Sequence, residues 1–208
     1  MNPDLRKLQS ETALKAAGVA VNDALPPLAG DDQVTLRTPE QVMQRLVALW
    51  AVAGKAMVGK ESGYAAYIVR HKLQHWLSPA ERRFILDKRP STRDNVNFSW
   101  QLEALFFVAW SAGLLDADAI PETESSIEPI MGLFPQAGEL PERLMAAITM
   151  RAKSGILDRA DLLYRLDWAV RETGPPAIEA EVVHEWRRAA NWLLGLDPDD
   201  DWNRAGGD

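Results

Sequence analysis

Glu103 sits among aromatic residues. Trp100 precedes it by three positions, and Phe106, Phe107 and Trp110 follow at three, four and seven. At helical spacing these residues share one side of a helix. A carboxylate there must be paired, be protonated with a raised pKa, or lie at a helix start, where the macrodipole favours negative charge. The expected arrangement is a structural ion pair with an arginine from another helix. The sharper alternative is a buried acid in a binding site. Asp161 and Arg165 stand four apart in the order that favours a helical ion pair. Acid–base catalysis by Glu103, Asp161 or Glu185 would need two of them to converge, since paired carboxylates divide the two roles. Structural pairing with Arg45, Arg165 or Arg187 is the competing expectation.

His71 and His75 are also four apart, and on one helix face two imidazoles can grip one ion. The intervening Lys72-Leu73-Gln74 lacks the glutamate of the zinc-protease pattern. No third ligand is identifiable, and His184 is the only other histidine. No metal is assigned, with His71 and His75 as the weak candidates. There is no cysteine and no Gly-x-Ser-x-Gly elbow, so no nucleophile stands out. The segment from Gly59 to Gly63 is too short for a phosphate loop, and Asp199 to Asp201 lack calcium-loop spacing. No catalytic residue and no cofactor is expected.

The elements that must position these groups read as helices. Residues 99–115 are the most apolar window, with apolar side chains nearly all round, so they predict a buried central helix of roughly 26 Å. Leu5, Leu8, Ala13 and Leu14 give residues 4–17 an amphipathic stripe. Thr38-Pro39-Glu40-Gln41 and Ser78-Pro79-Ala80-Glu81 are capping boxes that open helices to about Val58 and Asp87. Arg45 lies at the edge of the first helix's core stripe. A helix from Tyr64 to Trp76 would put Ala66, Val69, Leu73, Trp76 and Leu77 on one face, and Tyr64, Ile68, His71 and His75 on the other. Residues 116–140 form a long connector, expected to wrap the core through Ile127, Ile130, Met131, Leu133 and Phe134. Further helices are expected from Pro141 to about Lys153, from Ile156 to Glu172 and from Ala180 to Leu194. The last two should form an antiparallel hairpin, with Gly174-Pro175-Pro176 as the stop. Asp161, Tyr164, Arg165 and Trp168 share one side of the first of these. Trp168 and Trp192 lie off the main stripes; burial beneath another helix or the connector is expected, with a cleft or an interface as the alternative.

The fold class is therefore all-α, a single globular domain of about seven or eight helices around residues 99–115. Residues 1–36 are an N-terminal helix and connector attached as an appendage, and 197–208 are an acidic, flexible tail. The net charge of −7, without a dense basic patch, argues against nucleic acid as a partner. The longest apolar run, Leu46 to Ala53, is too short for a membrane span, and no signal peptide is visible. With no cysteine, a soluble cytoplasmic protein is expected.

Several pieces in order resemble one known family. They are Arg37-Thr-Pro-Glu-Gln-Val-Met-Gln-Arg45, Trp76-Leu-Ser-Pro-Ala-Glu81, and Phe98-Ser-Trp-Gln-Leu-Glu-Ala104 continuing to Ala109-Trp110. Asp161-Leu-Leu-Tyr-Arg-Leu-Asp-Trp-Ala-Val-Arg171 and Val182-Val-His-Glu-Trp-Arg-Arg-Ala-Ala-Asn-Trp-Leu193 follow. This ordered set, running over about residues 5–195, resembles domain-of-unknown-function family 4272, a group of bacterial, all-helical proteins. The family pattern has Arg-His where Trp186-Arg187 stand here. The resemblance implies no activity and supports treating residues 1–208 as one unit.

The functional expectation is a non-catalytic interaction domain that self-associates or holds a protein partner. Its docking faces would be Tyr64/His71/His75 or Asp161/Tyr164/Trp168. The alternative is a small-molecule binder or enzyme. Its pocket would be lined by Trp100, Trp110, Trp168 and Trp192, with Glu103, Arg45, Asp161 and Arg165 as polar groups.

Overall fold

In the computed structural model the described residues are 2–59, 63–117, 120–134, 139, 141–175, 177–196 and 202. They form helices α1 (Pro3–Ala16), α2 (Pro39–Val58), α3 (Tyr64–Arg70), α4 (Pro79–Leu86), α5 (Thr92–Ser99), α6 (Gln101–Ser111), α7 (Glu128–Met131), α8 (Glu142–Ala147), α9 (Lys153–Thr173) and α10 (Ala180–Leu194). Eight of these have seven residues or more, and the described residues contain no strand, so the fold is all-α. None of the described helices is long and apolar enough to cross a membrane. The acidic tail, apart from Trp202, lies outside the described residues, as do Pro135, Pro176 and residues 60–62.

Every residue of α6 is buried. It lies between α2 and α10; α9 packs on α10, and α1 packs on α9. The central helix is shorter than the pattern over 99–115. α5 and α6 are separate helices that meet at Trp100, and α5 is opened by its own capping box, Ser91 with Asp94. At the other end Arg151 caps the exit of α6, its Nε donating to Trp110 O at 2.8 Å and a terminal nitrogen to Leu115 O, four residues beyond the helix, at 3.1 Å. Backbone bonds from Thr149 N and Arg151 N to Ala112 O and Ser111 O, both 2.9 Å, draw residues 149–151 along the same end. That docking ends α8 at Ala147, short of the expected Lys153.

The capping boxes at Thr38 and Ser78 form as expected. Lys55, buried in α2, donates to the C-terminal carbonyls of α4, Phe84 O at 2.6 Å and Ile85 O at 2.9 Å, and ties the two helices together. Gly54 lets Tyr64 cross α2: a Cβ there would lie 2.3 Å from Tyr64 Cζ.

The helix expected over Tyr64–Trp76 breaks after Arg70. Lys72 takes a positive φ of 57°, Leu73 N bonds back to Ile68 O, and Gln74–Trp76 form a 3₁₀ turn. Tyr67 and Ile68 face the core, as do Leu73 and Leu77 beyond the break, while Ala66 and Val69 are exposed, so neither expected face stays together. Helix α1 is also turned against its apolar stripe. Arg6, Ser10, Glu11 and Leu14 are buried, whereas Leu5 and Leu8 are exposed. The reason is electrostatic. Arg6 reaches Asp158 at 2.8 Å and Asp31 at 2.7 Å, and Glu11 reaches Arg165 at 3.3 Å, so the charged face must turn inward. A second apolar cluster, including Leu14, Val19, Leu166 and Val183, fills the space between α1, α9 and α10. The connector over 116–134 is pinned by Ile130 and Phe134, both buried, and Phe134 stacks on Trp50 at 5.6 Å.

Candidate functional site

Glu103, in the first turn of α6, has its oxygens filled by neutral donors. Ser125 clamps it from the connector, with N to Oε1 at 2.7 Å and Oγ to Oε2 at 2.8 Å. Trp186 Nε1, on α10, donates to Oε2 at 3.0 Å. The expected arginine partner is not what holds it. A hydrogen-bonding connector does the same work without a second buried charge. A cavity of about 520 Å³ lies outside this clamp, walled by Phe106, Ser125 and Trp186.

Asp161 and Arg165 do pair, at 2.9 and 3.0 Å, and both are fully buried. Arg165 also donates to Pro26 O at 3.1 Å, and Asp161 accepts from Leu28 N at 3.3 Å. The pair is a bolt holding the N-terminal segment onto α9. Tyr164 is half-buried, with the Arg187 guanidinium over its ring at 5.2 Å, and Trp168 packs half-buried on the second apolar cluster. Trp110 lies under Arg159 and Arg151, at 4.4 and 5.1 Å. Trp100, Trp110 and Trp192 join the main apolar cluster and Trp168 the second, and no described cleft is lined by more than one of the four. Both expected docking faces turn inward in part. Tyr64 packs on Trp50 at 4.9 Å, His71 on Tyr67 at 4.6 Å, and Asp161 is covered.

The break at Lys72 also removes the metal-pair geometry. His71 is half-buried against Tyr67, while His75 is exposed and directed at Lys72 O at 3.0 Å. Among the described residues no group of three or more His, Cys, Asp or Glu side chains could hold a metal ion.

What the fold does assemble lies along α10. A cleft of about 460 Å³ opens between α5, α9 and α10, and among its lining residues are Asn97, Trp100, Asp167, His184, Glu185 and Arg188. Its spacing follows from one helix: His184 and Arg188 are four apart and Glu185 and Arg188 three apart, so all three project together. Glu185 Oε2 accepts from Arg188 at 2.5 Å. Burial nonetheless pushes its carboxyl up to about 7; Arg188 opposes the rise, and Glu103 and Glu81 add to it. Burial lowers the His184 pKa, against the pull of Asp167, whose Oδ1 lies 4.0 Å from His184 Nδ1. Asp167 is held in turn by Arg171 at 2.8 Å and by Arg187. Near neutral pH the cleft thus presents a carboxyl poised between its two protonation states beside an imidazole biased to the uncharged form.

A second cleft, also of about 460 Å³, has Arg37, Gln41, Arg45, Trp76, Trp192 and Trp202 in its lining. Arg45, buried in α2, pairs with buried Glu81 at 2.7 Å. The other oxygen of Glu81 completes the cap of α4 by accepting from Ser78 N at 2.9 Å. One capping glutamate therefore also neutralises a core arginine. The Trp202 ring carries the guanidiniums of Arg45 and Arg188 at 4.4 and 4.7 Å. Of the sequence candidates, Trp100 and Glu185 meet in the first cleft, and Arg45 and Trp192 in the second. Asp167 and Arg188 carry no sequence signal beyond their helical spacing, and His184 stands out in the sequence only as the third histidine. Glu81 was read only as a cap, and Trp202 has no sequence signal.

A family model described as domain of unknown function (DUF4272) matches residues 6–205. No curated protein and no solved structure matches the chain.

Proposed function

The chain belongs to the DUF4272 family, which carries no activity with it, and from the geometry we propose that it binds a small zwitterionic molecule in the Glu185 cleft. The observation that carries this reading is the lining itself. Guanidinium and carboxylate groups stand together on α10, beside the flat wall of Trp100 and the apolar Val170. A volume of about 460 Å³ lies in the range of small-molecule sites. Arg188 and Arg171 suit a ligand carboxylate, and Glu185 and Glu181 suit an ammonium group. The carboxyl of Glu185 gives such binding a dependence on pH near neutrality.

Native mass spectrometry of freshly purified protein, followed by thermal scans with millimolar free amino acids, tests this. Wild type should carry, or be stabilised by, one small molecule per chain, and Glu185→Gln and Trp100→Ala should weaken it at least tenfold. An adduct that both variants retain at full strength would sink the reading, as would no adduct and no thermal shift with wild type.

Self-association is a second reading, favoured by Leu5 and Leu8, which stand one turn apart on α1 and are 48% and 59% exposed. The partner would be a second copy of the chain. Light scattering should then show a dimer that Leu8→Glu dissociates; a monomeric wild type at high concentration would end this reading.

A further inference from the structure

The Trp202 ring is 4% exposed, edge-on to Trp192 at 5.7 Å and packed by two guanidiniums. Aromatic faces attract cations, so the stacking is favourable. The polar edges are not matched in the same way. Arg45 uses a terminal nitrogen on Glu81, and Arg188 uses one on Glu185. The Nε of each is buried and has no hydrogen-bond partner among the described residues, and neither does the indole Nε1 of Trp202. An indole thus brings a third donor into a place where two donors already lack an acceptor. Buried donors without acceptors cost free energy that an occupant with oxygen atoms would recover. Arg188 is also close enough to act on Arg45 as a like charge, so an anion placed between them would relieve repulsion.

We propose that the seat of Trp202 is a binding site for a planar aromatic carboxylate, filled in this structure by the chain's own indole. The ring of such a ligand would take the stacking position against Arg45, Arg188 and Trp192. Its carboxylate would accept from the Nε groups that Trp202 leaves unpartnered. Access is through the second cleft, which Trp202 and Arg45 themselves line. The site is distinct from the Glu185 cleft, although Arg188 borders both. Its chemistry is also different: an aromatic anion on two guanidiniums rather than a zwitterion.

Indole-3-acetate is the direct probe, since it is the ring of Trp202 with a carboxylate added; indole and acetate are its controls. Calorimetric titration of Trp202→Ala should show indole-3-acetate binding at least tenfold tighter than to wild type, and at least tenfold tighter than either control. Adding Arg45→Met to Trp202→Ala should abolish it. Equal affinity in wild type and Trp202→Ala, or indole binding as well as indole-3-acetate, would overturn the proposal and leave Trp202 as core packing. If Trp202→Ala does not fold, wild type answers alone. In protein labelled with 5-fluorotryptophan, with the Trp202 fluorine resonance assigned through Trp202→Phe, millimolar indole-3-acetate should move that resonance towards the solvent-exposed position. A Trp202 resonance unmoved by the ligand would refute displacement.

Discussion

Replacing Glu185 by glutamine removes one titrating proton while keeping the shape of the side chain, which makes it the sharpest probe of the cleft. The carboxyl faces Arg188 at 2.5 Å, feels Glu103 and Glu81, and shares the cleft with His184 and Asp167. Its pKa is pushed up to about 7 from an ordinary 4.5, mainly by burial. The folded state therefore holds this proton more tightly than the unfolded chain does. Between those two values the native state binds more protons, so stability falls as pH rises. The contribution is fully present below about 4.5 and is lost as pH passes through about 7. A gap of that size corresponds to roughly 3 kcal/mol. Glutamine cannot ionise, so the variant lacks the effect, and the other groups cancel when the two proteins are compared. Urea unfolding at steps from pH 4.5 to 8 is the assay. The proteins should be near equal in stability at the acid end. Wild type should lose roughly 3 kcal/mol relative to Glu185→Gln at the alkaline end. Parallel pH curves would refute the reasoning, because they would mean that the ion pair with Arg188 compensates for burial in full.

Three further outcomes follow from the packing. Glu103→Ala should destabilise by about 3–5 kcal/mol, because Ser125 N, Ser125 Oγ and Trp186 Nε1 lose their acceptor together; an unchanged urea midpoint would show that the connector finds other partners. Arg165→Ala should cost about 3–5 kcal/mol by leaving Asp161 buried without its counter-charge and Glu11 with Lys7 alone. It should also expose residues 1–36 to limited proteolysis, and an intact digestion pattern would count against the bolt. Gly113→Ala should cost about 2–4 kcal/mol, since φ is +71° and the new Cβ would lie 2.4 Å from Thr149 O; a thermal midpoint within a degree of wild type would contradict this.

The sequence by itself determined the features that local chemistry decides. The starts of α2 and α4 follow from capping boxes closed within four residues, and the bounds of α10 from a continuous 3.6-residue stripe ending at Gly195. The burial of α6 was readable because a helix apolar on all sides has no face to give to water. Periodicity failed where a distant partner outweighed it. The stripe on α1 predicted Leu5 and Leu8 inside, yet Asp158, Asp31 and Arg165 draw Arg6 and Glu11 inward instead. The break at Lys72 has no proline or glycine to announce it. The candidate site divides in the same way. That Glu103 needed partners was legible from its aromatic neighbours, and that Asp161 would meet Arg165 followed from spacing. Only the tertiary structure decided that Glu103 meets Ser125 and Trp186, that Arg45 meets Glu81, and that Trp202 lies against Arg45 and Arg188. Burial demands that a charge be satisfied, which a sequence reveals. Which group satisfies it depends on chain crossings tens of residues apart, which no local spacing encodes.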